Sequence, residues 1–215
     1  MRKYAVIVLL TVTAIAGAQA QIVKSESHIT TRHVIDTQDA KTHPGSWRNL
    51  LYGVNFGVNN GNSHEMFGFD LTYTKANAFN QDSPLFYEYG IGFQYLGGGY
   101  DKGSGSVSYS FGLVRIPLNI IYDYQLASDV YADFYAGLNI GGNLFGSVKY
   151  SRSSKNDESQ HLFRPQVGFN CGVKMRLYRF VVGIGYNKDF TDLGEIPETL
   201  VGGLSYMSGS IGLTF

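Results

Sequence analysis

The chain has a single cysteine, five prolines and no net charge. Each shortage excludes something. Cys171 has no second thiol to pair with, so no disulfide framework holds the fold. It falls on the apolar phase of a strand pattern, which marks an inert structural cysteine rather than a reactive thiol. The balance of 17 basic against 17 acidic side chains leaves no basic footprint for nucleic acid. Beyond the leading segment, no stretch holds the ~18 consecutive apolar residues of a membrane-crossing helix. His28, His33 and His43 are irregularly spaced, and no Cys or acidic cluster completes a metal site around them. No helical pattern follows Gly97-Gly98-Gly99 or Gly202-Gly203, so these read as loop glycines, not phosphate-binding turns. No cofactor and no nucleic-acid partner is expected.

What the chain does have is glycine and aromatics: 27 Gly, 16 Tyr and 14 Phe. Spread over alternating runs, they are the profile of a β-barrel with aromatic girdles. The N-terminus carries its own signal. Arg2 and Lys3 precede an apolar stretch over 4–16, and Ala18-Gln19-Ala20 forms a small-x-small cleavage site. Residues 1–20 are therefore expected to be a cleaved signal peptide, with Gln21 first in the mature chain. Residues 21–49 are polar and uneven and read as a periplasmic tail. Trp47 would anchor that tail at the lipid interface.

From Leu50 the pattern turns to period two and stays there, which is the strand signal. Eight runs follow, over 52–59, 67–74, 85–95, 106–124, 130–140, 163–177, 180–187 and 207–215. In the first, Tyr52, Val54, Phe56 and Val58 alternate with Gly53, Asn55, Gly57 and Asn59. The fourth changes phase, from odd apolar positions through Leu113 to even ones from Val114 onward. That slip predicts a β-bulge near Leu113-Val114, with Pro117 supporting irregularity just beyond. Connectors at 60–65, 97–105, 151–161 and 191–204 are polar and mostly longer than those at 77–83, 125–129 and Tyr178-Arg179. The expected fold is all-β: an eight-stranded antiparallel up-and-down transmembrane barrel over 50–215. Short turns on the periplasmic side would place both termini there.

The face opposite the aromatics carries Asp70, Glu88, Arg115, Asp123, Asp133, Arg164, Lys174 and Arg176. A water-soluble barrel would spread its charges over the outside, whereas a membrane barrel keeps its polar face inward. The leading segment, the sparse strand charge and the terminal Phe215 favour lipid. The inward charges are expected to pair as a structural network filling a narrow lumen, with Glu88–Arg115 the first candidate pair.

The stretches LVRIPLNIIYDY (113–124) and DFYAGLNIGGNLFG (133–146) resemble the PorT-like outer-membrane barrel family of the Bacteroidota. VGFNCGVKMRLYRFVVGIGYNKDFTDL (167–193) and GSIGLTF (209–215) are similar to its last hairpins and terminal strand, and Ile116-Pro117-Leu118 is the most specific step. The resemblance implies an eight-stranded barrel in the outer membrane of a didermal bacterium, with some members serving secretion machinery. It carries over no active-site residue. The expected function is that of a non-catalytic structural or interaction subunit of an envelope complex. Its expected partners are outer-membrane lipid and lipopolysaccharide, the barrel-assembly machinery during insertion, and other envelope proteins. A narrow channel is the second reading. The third is a lipid A-modifying enzyme, for which Asn62-Ser63-His64-Glu65 is the best local match.

Overall fold

The computed structural model of the chain describes residues 45–59, 65–80, 83–102, 105–151, 165–191, 194–196, 199–201 and 203–215. The leading segment, the histidines of the tail, Ser63, His64 and Arg164 lie outside them. Eight long strands are β1 (Ser46–Asn59), β2 (Glu65–Ala78), β3 (Leu85–Lys102), β4 (Gly105–Ala127), β5 (Val130–Ser151), β6 (Pro165–Leu177), β7 (Phe180–Asp189) and β10 (Leu204–Thr214). Each pairs antiparallel with its neighbour in sequence, and β1 pairs with β10 to close the barrel. The short strands β8 (Gly194–Ile196) and β9 (Thr199–Val201) form a separate hairpin between β7 and β10. Closure leaves no sheet edge inside lipid, where an unpaired backbone group costs several kcal/mol in order of magnitude.

Period two sets the faces. On β4, Arg115, Pro117, Asn119, Ile121 and Asp123 are buried, while Ile116, Leu118, Ile120, Tyr122 and Tyr124 are exposed. The same alternation puts Tyr52, Phe67, Ile91, Leu138, Ile184 and Ile211 outside. Outward aromatics pair across strands, as in Phe56–Phe67 at 5.1 Å, Phe69–Tyr95 at 5.4 Å and Phe79–Tyr87 at 5.4 Å between ring centroids. Charged residues inside and apolar residues outside make this barrel the inverse of a water-soluble one. It is built to span lipid.

Several sequence expectations change. The first strand starts at Ser46, so 46–49 belong to the wall and not to a tail. Trp47 is no interfacial anchor. It points inward, 5% exposed, with its ring centroid 4.4 Å from that of Phe86. Gly97-Gly98-Gly99 lies in β3, not in a loop; Gly97 pairs with Phe67 on one side and Ser110 on the other.

A register shift does fall beside the predicted position, between Gly112 and Leu113 of the β4–β5 pair, but the extra residue is not on β4. β4 keeps one register against β3 past Leu113-Val114, so its odd positions face inward throughout. The apolar phase changes because the lumen itself changes, from charged at Arg115 to apolar at Tyr109, Phe111 and Leu113. The register shift lies on the partner strand. Gly112 pairs with Phe145 and Leu113 with Asn143, leaving Leu144 as the extra residue on β5. Pro117 does disturb its ladder: the β3–β4 pairing is interrupted between Tyr89–Leu118 and Gly92–Arg115.

β4 and β5 are 23 and 22 residues long, about twice what a tilted strand needs to cross a bilayer. The β2–β3 pairing stops at Met66–Gly98, and the described β5–β6 pairing stops at Gly142–Pro165. The β3–β4 and β4–β5 ladders run on to Lys102–Gly105 and Ser106–Ser151. Among the described residues, β3, β4 and β5 thus run on as three paired strands beyond the neighbouring ladders, at the end away from Trp47.

Candidate functional site

Chemistry-bearing side chains gather in the lumen, so the lumen is the candidate site. It is layered along the barrel. At the end that holds Trp47, the side chains of Trp47, Ala76, Phe86 and Ile121 form an apolar plug. Arg176 lies over the Trp47 ring at 3.7 Å and the Tyr131 ring at 4.7 Å. It pairs with Asp123 at 2.9 Å and Asp133 at 2.8 Å.

The next layer is built around Glu88. Lys174 Nζ donates to both of its oxygens, at 2.8 and 2.6 Å. Asn119 Nδ2 and the Thr74 hydroxyl each donate to it at 2.9 Å. Lys174 also stands over the Tyr135 ring at 4.9 Å. The Tyr135 hydroxyl fits between Gly172 and Gly185, where an added Cβ would come within 2.6 and 2.3 Å of it. Glycine at these two inward positions is what gives the phenol room.

Nearer the projecting sheet, the Arg115 guanidinium forks onto Asp189 at 2.8 and 2.7 Å. Its Nε donates to Gln94 at 2.6 Å, and the Tyr206 hydroxyl donates to the same oxygen at 3.4 Å. A line of amides belts the wall: Asn170 donates to Asn139 at 3.0 Å, Asn139 to Asn187 at 2.9 Å, and Asn187 to Ser208 at 3.5 Å. Beyond Arg115 a second apolar plug closes the lumen, made of Met66, Leu96, Tyr109, Phe111, Leu113, Leu204 and Tyr206. Between the plugs is a polar chamber of about 110 Å³ lined by Asn55, Asp70, Glu88, Arg115, Lys174 and Asn170, among others.

The expected Glu88–Arg115 pair is not made. The β3–β4 register sets Glu88 opposite Asn119 and Arg115 opposite Gly92, four residues further along. That separation is about 13 Å along a strand, so each charge takes a partner at its own level. Lys174 serves Glu88 and Asp189 serves Arg115. Gln94 and Gln166 fall on the inward phase of the sequence pattern, as the structure has them, whereas Asp189 and Tyr206 were missed as lumen residues. Asp189 had a usable signal: the inward phase of Gly183, Gly185 and Asn187 reaches it with one more step.

No protein-family model and no curated protein matches this chain. Solved structures do. Ail, the attachment invasion locus protein of Yersinia pestis, in complex with the heparin analogue sucrose octasulfate, is similar at 12% identity and a TM-score of 0.46, over 80% of this chain and 100% of that one. Neisserial surface protein A is similar at 16% identity and a TM-score of 0.48, over 80% and 98%. A major outer membrane protein from Thermus thermophilus is similar at 16% identity and a TM-score of 0.46, over 80% and 100%. The fold assignment stands on this chain's own closed ladder.

The arrangement has a clear chemical character. Arg115, Lys174 and Arg176, the cations of the described lumen, are each held by a carboxylate at 2.6 to 2.9 Å. The two apolar plugs close a chamber that is polar but narrow. Such a lumen is braced by ion pairs in its middle and packed with apolar side chains toward both ends.

Proposed function

We propose that the chain is an integral barrel of a bacterial outer membrane, in the manner of the PorT-like family it resembles. It acts there as a structural or interaction subunit of an envelope complex and not as an enzyme. The two apolar plugs in series, Trp47–Phe86 at one end and Tyr109–Phe111–Leu113 at the other, carry the choice of a scaffold over a pore. The three paired strands that outrun the neighbouring ladders supply surface beyond lipid for contact with other envelope proteins or with lipopolysaccharide. Both termini face the periplasm in this reading, and insertion depends on the barrel-assembly machinery. Gentle detergent extraction after in-cell crosslinking tests it. A stoichiometric envelope partner, linked through cysteines placed at Ser106 or Ser108 of the projecting sheet, is the expected result. A lone monomer in every preparation overturns it. Incubation with labelled lipid A checks the enzymatic alternative, and acyl release lost on Ser63→Ala and on His64→Ala would revive it.

A further inference from the structure

Five carboxylates of the described residues face the lumen: Asp70, Glu88, Asp123, Asp133 and Asp189. Four of them are in ion pairs. Asp70 is the exception. Its contacts are neutral: Asn55 Nδ2 donates to it at 2.9 Å and the Thr72 hydroxyl at 3.2 Å. The guanidinium of Arg115, whose charge acts on it, spends its hydrogen bonds on Gln94, Asp189 and Gln166. The opposite position, Gly53, is kept empty for this carboxylate, since a Cβ there would lie 2.3 Å from Asp70 Oδ2.

A second, independent observation comes from hydrogen-bond accounting. Asn55 and Asn119 are 0% and 6% exposed, and both line the chamber with Asp70. Their side-chain oxygens have no partner. Their orientation is forced: each must turn its nitrogen toward a carboxylate, Asn55 to Asp70 and Asn119 to Glu88. Asn170, 5% exposed on the same chamber, also has an oxygen without a partner. The chamber is therefore rich in acceptors. It asks for a cation, or for water alone, and about 110 Å³ holds a small ion with one or two waters at about 30 Å³ each.

We propose that Asp70, in the chamber it lines with Asn55 and Asn119, binds a small monovalent cation inside the barrel. One carboxylate with neutral amide oxygens suits a single charge. A divalent ion takes about six or more oxygen ligands, often several of them carboxylates, and Arg115 and Lys174 oppose a second positive charge here.

The test refolds the chain in detergent in sodium, potassium or choline chloride at one ionic strength. Binding to the folded state alone raises the unfolding midpoint. The urea midpoint should be higher in sodium or potassium than in choline, and Asp70→Asn should abolish that difference. Crystals grown in thallium(I) acetate should show an anomalous peak in contact with Asp70 in the unaltered chain. Equal midpoints in the three salts without a thallium peak overturn the proposal, whether the chamber then holds water alone or Asp70 holds a proton. If Asp70→Asn does not refold on a heat-modifiability gel, the thallium peak decides alone.

Discussion

Lys174 and Glu88 show what a single residue contributes to this barrel. Both side chains are at most 5% exposed, and their ion pair is 2.6 Å long. Removing water from two charges costs several kcal/mol per ion in order of magnitude, and mutual attraction offsets that only when both partners are present. Lys174→Met should therefore destabilise the barrel by about 3–5 kcal/mol, because Glu88 is left charged and unpaired. Adding Glu88→Gln to Lys174→Met should recover most of the loss. Urea unfolding of the two variants in lipid vesicles, followed by tryptophan fluorescence, checks both; equal destabilisation would show that the charge was not the cause. Tyr178 makes the opposite case. It turns the β6–β7 hairpin at φ 56° with its side chain 74% exposed. A bulky L-residue in that region is strained by about 1–2 kcal/mol, and little packing rewards it. Tyr178→Asn should raise the free energy of unfolding by up to about 1 kcal/mol, read as a higher urea midpoint. Which residues face the lumen could be read from the alternation, as with Glu88 and Lys174. Which one pairs with which could not, because partners such as Lys174 and Glu88 are 86 positions apart and only the closed register brings them to one level.

Strands carry their information in phase, and phase explains both what the sequence disclosed and what it concealed. Where the lumen is polar, alternation marks the two faces without ambiguity, as along 115–124. Where the lumen is apolar, both faces read alike. The stretch Tyr109–Phe111–Leu113 then imitates lipid-facing wall, and a change of lumen lining looks like a slip of register. The real slip, at Leu144 on β5, is muted because Leu144 and Phe145 are both apolar and both exposed. A pair of deletions separates these accounts. Removing Leu144 takes out the extra residue and leaves Phe145 outward and Gly146 inward, so a closed, heat-modifiable barrel should still form. Removing Gly112 from β4 inverts every residue toward Gly105 against two neighbours at once. It should turn Tyr109 and Phe111 out of the plug and abolish the folded band. A ΔLeu144 chain that fails to fold, beside a ΔGly112 chain that folds, would reverse the assignment of the bulge.

The whole molecule is a closed tube whose contents decide its use. Eight strands enclose a space that side chains nearly fill, and here they do so in series: an apolar plug, the Arg176 cluster, the Lys174–Glu88 layer, the Arg115–Asp189 fork and a second apolar plug. A series is governed by its tightest members, so opening one layer changes nothing while another stays shut. The unaltered barrel in planar bilayers should therefore give no steady conductance. Tyr109→Ala with Phe111→Ala should be equally silent, since Trp47 and Phe86 still meet at 4.4 Å between ring centroids. Only a chain that also carries Trp47→Ala and Phe86→Ala has the aromatic rings of both plugs removed, and its ion-paired layers should then admit at most brief, small openings. Single-channel recording on the three chains checks this order. Steady steps from the unaltered barrel would overturn the scaffold reading, because they would require the plugs to part without any mutation. If all three are silent, Lys174→Met with Glu88→Gln added to the four-alanine chain separates the paired charges of the middle layers from the apolar residues left in the plugs, such as Leu96, Leu113 and Ile121: openings on that addition place the final barrier in the charges, and continued silence places it in the plugs.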